Sequence, residues 1–194
     1  LEPVFLAGST ISRATLHNEH EIARKDIRIG DMVVIEKGGD VIPKVSAVLL
    51  EKRPAFSLPF TFPEICPSCG SQLVRETGEV AIRCINAACP AQREGRLRLF
   101  ASRDAMDIEG LGESLVSQLV ANNLVSSFDD LYDLTVERLA SLDRMGEKSA
   151  QNILHSLEAS KKRELHRLIY GLGIRQIGVG AARLLAERFR TLDA

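Results

Sequence analysis

The chain has 194 residues, 45% of them hydrophobic, with 25 basic and 26 acidic side chains and a formal net charge of -1. That length can bury more than one core, no apolar run approaches the roughly 18 residues of a membrane span, and no segment resembles a targeting signal, which points to a soluble, cytoplasmic protein. Basic and acidic residues also balance locally, 8 against 8 before Pro63, 3 against 4 over 63–95 and 14 against 14 after it, which excludes a uniformly basic coat for nucleic acid. DNA binding by such a chain has to rest on local geometry.

Residues 1–62 read as β-rich. Two stretches dense in Val and Ile, 30–37 and 41–50, flank the turn Gly38-Gly39-Asp40 and predict a hairpin, with an earlier strand over 4–7 and a short helix over 15–25. A sheet of this size with one helix suits a small β-barrel, and the OB-fold is the commonest such barrel that handles nucleic acid. His17 and His20 lie in or near the helix with no further ligand nearby, and read as solvated or capping residues.

The only four cysteines, Cys66, Cys69, Cys84 and Cys89, fall within 24 residues as C-x2-C, fourteen residues, C-x4-C. A CxxC turn places two thiolates on one side of an ion, and a second pair a hairpin's length later closes a tetrahedron with no open position, so the spacing predicts a structural Zn2+ site. A disulfide framework suits short secreted chains, and a redox CxxC opens a helix after a strand, whereas Cys66-Pro67-Ser68-Cys69-Gly70 reads as a turn before strand-like residues 72–77. The 63–95 module has few large apolar side chains. Metal ligation, worth on the order of 10 kcal/mol, supplies the stability that burial does not.

Residues 96–194 read as all-helical. Gly110-Leu111-Gly112, Arg144-Met145-Gly146 and Gly178-Val179-Gly180 each open a helix, over 113–122, 147–158 and 181–189, and the final glycines lie 34 residues apart twice. A fourth hairpin in that register falls near position 214, beyond Ala194. Helix-turn-helix solenoids share the period, but their repeat carries a Trp, and this chain has none. Gly110, Gly112, Gly146, Gly178 and Gly180 let the backbone turn sharply, so that the unpaired amides opening each second helix face a phosphate. Lys148, Ser149 and Arg183 stand near the starts of second helices as direct phosphate contacts. The plainer reading is that each glycine pair only joins two helices, and Arg144 breaks the glycine pattern of the middle hairpin.

In order along the chain, Ser12-Arg13-Ala14-Thr15-Leu16-His17-Asn18, Arg28-Ile29-Gly30-Asp31, Gly39-Asp40-Val41-Ile42-Pro43-Lys44, CPSCG, CxxxxCPAQ and Asp107-Ile108-Glu109-Gly110-Leu111-Gly112 closely resemble the central and C-terminal part of bacterial NAD+-dependent DNA ligases. The resemblance covers essentially the whole chain. It implies an OB-fold over 1–62, a four-cysteine zinc finger over 63–95 and a helix-hairpin-helix domain over 96–194, lying between an adenylation domain and a BRCT domain. The family's adenylated lysine lies in a K-x-D-G motif, and the nearest string here, Lys25-Asp26-Ile27, is not that motif. The expectation is therefore a fragment with no catalytic residue of its own, a sequence-independent clamp on nicked duplex DNA. NAD+, Mg2+ and the missing adenylation and C-terminal domains belong to the full-length, nucleoid-associated enzyme of replication and repair. On this resemblance Arg13 and Lys37 contact phosphate, Val41 and Ile42 press on sugar and base edges at the nick, and the zinc finger fixes the angle between its neighbours. The rivals are a free-standing zinc and helix-hairpin-helix module of a repair factor, and a nuclease or glycosylase. The latter needs a paired-carboxylate metal site or a catalytic Lys or Asp in a pocket, and the only adjacent acidic pair, Asp129-Asp130, reads as a helix cap.

Overall fold

The computed structural model describes residues 1–6, 8–38 and 42–192. The chain divides into two compact units, Leu1–Ile85 and Asn86–Ala194.

In the first unit, β1 (Val4–Leu6) and β2 (Ser9–Ile11) form an antiparallel pair with Val4 opposite Ile11. The helix expected over 15–25 is confined to α1 (Glu19–Arg24). Thr15 instead bridges in parallel to Lys44, donating its amide to Pro43 O at 2.8 Å, and His17 at φ +61° separates that extended segment from the helix. Asn18 caps α1, its Oδ1 accepting from the Glu21 amide at 3.0 Å. β3 (Val33–Gly38) pairs antiparallel with β4 (Ile42–Val48), with a bulge between Val34 and Ile35. Exposure alternates along β3, as a strand with one wet face requires. The expected Gly39-Asp40 turn lies outside the described residues. β5 (Leu73–Arg75) and β6 (Ile82–Cys84) form a third antiparallel pair. The barrel expected over 1–62 is thus represented, among the described residues, by two two-stranded sheets, β1–β2 and β3–β4, while β5–β6 belongs to the cysteine module.

Ion pairing supplements a thin apolar core here. Apart from Cys66, Ile11 and Val45 are the buried apolar residues described in this unit. Beside them Arg53 forks onto Asp31, Nε to Oδ1 at 2.9 Å and Nη2 to Oδ2 at 3.0 Å, and reaches Asp26 Oδ2 through Nη1 at 2.5 Å. Arg28 grips Asp26 at 3.0 and 2.9 Å, gives its amide to Asp31 Oδ2 at 2.8 Å, and donates Nη1 to Ser57 O at 2.7 Å. The Asp31 side chain is 1% exposed, which a carboxylate sustains only when fully paired.

The second unit is helical: α2 (Pro90–Ala101), α3 (Glu113–Ala121), a 3-10 turn Asp129–Asp133, α4 (Val136–Ala140), α5 (Glu147–Ser160), α6 (Leu165–Gly171) and α7 (Val179–Phe189). Leu115, Leu119 and Val116 of α3 and Ala150, Ile153 and Leu157 of α5 recur at helical spacing and meet Leu97, Phe100, Leu131 and Leu139 in one core. Each fully buried leucine there contributes about 1.5–3 kcal/mol. Ser160, the buried polar residue, is satisfied: its hydroxyl meets Leu157 O at 2.6 Å and Tyr132 OH at 2.9 Å. No described helix is long and apolar enough to cross a membrane.

Candidate functional site

The cysteine cluster is built by two tight turns. Gly70, at φ +71°, lets the chain fold back so that the Gly70 amide donates to Cys66 O at 2.9 Å and the Cys66 amide to Ser71 O at 2.7 Å, which brings Cys66 and Cys69 together. β6 delivers Cys84 opposite Leu73, and the Cys89 amide donates to Asn86 O at 3.0 Å as Cys89 becomes the N-cap of α2, with Pro90 at the first helical position. The four sulfurs lie within 4.8 Å of one another, and Cys69 and Cys84 are 3.6 Å apart. A tetrahedral Zn2+ with Zn–S bonds of about 2.3 Å sets its sulfurs roughly 3.8 Å apart, whereas a disulfide needs about 2.05 Å. The donor set therefore fits zinc. Cys66 and Cys89 are buried at 6% and 0% exposure and Cys69 and Cys84 are half-buried, and four thiolates fill a tetrahedral coordination sphere, as in a structural site. His17 and His20 are outside this cluster; His20 Nε2 stands 3.5 Å from Arg75, which also bonds Glu19.

Three hairpins of the second unit share one hydrogen-bond pattern. The amides of Leu111, Met145 and Ile177 donate to the carbonyls three residues back, Ile108, Leu142 and Ile174, at 3.3, 3.2 and 3.0 Å. The third residue of each turn is left-handed: Gly110 at φ +84°, Arg144 at +58° and Gln176 at +66°. Gly112, Gly146 and Gly178 then cap α3, α5 and α7, their carbonyls accepting from Val116, Ala150 and Ala182 at 3.0, 3.0 and 2.9 Å. Arg144 thus keeps the hairpin geometry despite its side chain.

The third hairpin corrects the sequence-based register. Its turn is Gln176-Ile177-Gly178, the equivalent glycines are 112, 146 and 178, and the spacings are 34 and 32 residues. Gly180 lies in the first turn of α7, not in the hairpin. None of the cap glycines makes a side-chain cap, and a Cβ built on Gly112, Gly146, Gly178 or Gly180 meets nothing within 4 Å. Gly110 differs, since a Cβ there would fall 2.8 Å from Ile153 Cγ1. Lys148 and Ser149 are exposed in the first turn of α5, and Arg183 is exposed one residue beyond the first turn of α7.

The first unit's candidates are more scattered. Arg13 is exposed just after β2, Lys37 on β3 donates Nζ to Ser9 Oγ at 3.0 Å, and Ile42 opens β4 at 60% exposure. Val41 lies outside the described residues. Lys25 donates Nζ to Val45 O at 2.6 Å, a tie between α1 and β4. Asp129-Asp130 is no dyad: Asp130 Oδ2 accepts from the Ser126 and Ser127 amides at 2.7 and 3.0 Å, which holds its carboxyl below the usual range and ties the preceding turn rather than capping a helix. Sequence reading missed the Asp26–Arg28–Asp31–Arg53 network, although Arg28-Ile29-Gly30-Asp31 carried half of it.

Comparison with known proteins matches four successive segments of the chain to family profiles. Residues 1–57 match the profile of the NAD-dependent DNA ligase OB-fold domain and 66–91 that of the NAD-dependent DNA ligase C4 zinc finger domain. Residues 102–159 match a SAM-like helix-hairpin-helix tandem and 167–194 a helix-hairpin-helix motif. The whole chain is 56% identical to a DNA ligase of Bacillus licheniformis, 55% to one of Bacillus subtilis and 50% to one of Lysinibacillus sphaericus. It spans 29% of the length of each of these relatives.

Proposed function

Because the chain belongs to the NAD-dependent DNA ligase family, carrying its OB-fold and zinc finger domains followed by helix-hairpin-helix modules, we propose that it is the DNA-gripping portion of a nick-sealing enzyme. One observation carries the reading: three turns of the same hydrogen-bond pattern each present a helix N-terminus whose cap glycine faces open space. The amides of residues 113–115, 147–149 and 179–181 have no partner within their helices, and a phosphate oxygen satisfies them with charge-assisted bonds at the positive end of the helix dipole. Such contacts do not read bases, so the grip is independent of sequence.

In this reading Gly112, Gly146, Gly178 and Gly180 line the backbone path and Lys148, Ser149 and Arg183 add side-chain contacts. Gly110 shapes the first turn. Arg13 and Lys37 meet phosphate, and Val41 and Ile42 lie on sugar and base edges where the nick distorts the duplex. Joining a 3′-hydroxyl to an adenylated 5′-phosphate requires both ends held in line, which is the clamp's contribution. NAD+ and Mg2+ are assigned to the whole enzyme, acting in the cytoplasm on nucleoid DNA, and no residue named here is assigned to holding them. The three parts 1–62, 63–95 and 96–194 remain our division of labour: nick contact, metal-held spacer and backbone grip.

Fluorescence anisotropy with nicked and intact duplexes over a salt series tests the proposal. The chain should bind nicked duplex, and Gly112→Val or Gly178→Val should weaken it about tenfold with the salt slope unchanged, because amide contacts and not cations are lost. A slope reduced by about 1 would mean that a cation had been displaced, and failure to bind either duplex would overturn the proposal.

A further inference from the structure

The first and second hairpins hold each other. In the first, the amide of Glu109, second residue of its turn, donates to Ser156 Oγ on α5 at 2.7 Å. In the second, the amide of Asp143, at the same turn position, donates to Gln118 Oε1 on α3 at 2.9 Å, and Gln118 Nε2 faces back to Asp143 O at 3.4 Å. Each turn is therefore pinned at the equivalent amide by a side chain of the other hairpin's second helix. The Gly110 turn also lies directly on α5, close enough that a Cβ would collide with Ile153. A concavity of about 400 Å³ opens between the two turns, lined by Gly112, Ser114 and Leu115 from one hairpin and Asp143, Arg144 and Met145 from the other.

Gln118 has a second consequence. Arg144 occupies a left-handed conformation at φ +58° that non-glycine residues adopt against their intrinsic preference. The residue before it, Asp143, is the one whose peptide groups the Gln118 carboxamide holds, much as a neighbouring strand would. Gln118 is half-buried, and both ends of its carboxamide are directed at one residue of the opposing turn.

We infer that Gln118 is a positioning residue: it fixes the second turn against α3, so that the N-termini of α3 and α5 stand at one separation and take one DNA backbone as a two-point grip. The inference rests on the reading that these hairpins contact phosphate. Once one point is engaged, the second binds at the high effective concentration that a rigid link provides. Loosening the link forfeits that gain without changing the charge of the surface.

A set of double-mutant cycles on the full chain tests this, with nicked duplex affinity, salt slope, thermal melting and amide hydrogen exchange as readouts. Gln118→Met keeps the side-chain length but cannot clasp Asp143. Alone it should speed exchange of the Asp143 amide and weaken DNA binding about five- to tenfold at unchanged slope, with the melting midpoint nearly constant. Because both grips must be intact for their separation to matter, that loss should vanish in Gly112→Val or Gly146→Val backgrounds and persist in Gly178→Val. A loss that persists in all three, or no loss at all, overturns the inference and leaves the DNA reading standing. If Gly112→Val and Gly146→Val themselves bind like the parent, the reading fails and takes this inference with it.

Discussion

Two kinds of glycine sit two residues apart in the first hairpin. Gly110 is demanded by the fold: φ is +84° and Ile153 Cγ1 fills the space of a Cβ. Gly110→Ala should cost about 1–3 kcal/mol through left-handed strain and overpacking. The melt can be followed by tyrosine fluorescence, since Tyr132 and Tyr170 both lie in the second unit. Gly112, Gly146 and Gly178 have φ of -82°, -90° and -84° with extended ψ, a conformation any residue adopts. Serine is a better N-cap than glycine by a few tenths of a kcal/mol. Gly146→Ser should therefore melt slightly higher while binding DNA several-fold more weakly; a variant that gains stability at undiminished affinity would show that no partner approaches this position. Arg53 is equally specific. A lysine there offers a point charge in place of the fork onto Asp31, so Arg53→Lys should lower the melting midpoint of the first unit, read by far-UV circular dichroism.

Among the elements, the cysteine module is the one whose ligand set, rather than packing, fits a metal that would hold it. Its strands β5 and β6 are three residues each, and over residues 66–89 only Cys66 and Cys89 are buried apolar residues. Cys84→Ser should lower bound zinc from about one ion per chain to near none by elemental analysis and abolish the ordered signals of residues 66–84. The module was legible because ligand spacing is a covalent constraint written directly in the chain. The helices α3, α5 and α7 were legible for a similar reason, since apolar spacing marks their buried faces. The third hairpin was misread because Gly178-Val179-Gly180 looks like Gly110-Leu111-Gly112, whereas the turn is set by a left-handed residue, here Gln176, that no glycine announces. An apolar pair followed by glycine recurs in true register, Ile108, Leu111 and Gly112, then Leu142, Met145 and Gly146, then Ile174, Ile177 and Gly178. The start of the helix expected over 15–25 was lost to tertiary override, because Thr15 bonds across to Pro43 instead of joining α1. The Gln118 and Ser156 clasps join positions 25 and 47 residues apart and leave no local trace.

For the whole molecule, acid separates what holds each unit. Hydrogen bonds from Arg28 and Arg53 lower the Asp26 carboxyl to about 2, that from Arg24 lowers Glu21 to about 2, and that from Arg53 holds Asp31 below its ordinary value. An unfolded aspartate titrates near 3.9, so these groups favour the folded state above about pH 4 and lose that contribution as pH falls toward 2. Far-UV circular dichroism should record loss of the first unit across that window, with zinc release followed separately by a chelating dye because thiolates also protonate in acid. A β signal unchanged down to pH 2 would mean the network adds nothing to stability. The network also orders events in time. Arg53 reaches residues 31 and 26 that stand 22 and 27 positions back along the chain, so holding this tie costs loop-closure entropy that the local β3–β4 pairing does not, and the tie is expected to open before the hairpin when the unit breathes. Hydrogen exchange should then find the amides of β3 protected longer than those of residues 28–31, making the Arg53 latch the seam at which the unit begins to come apart.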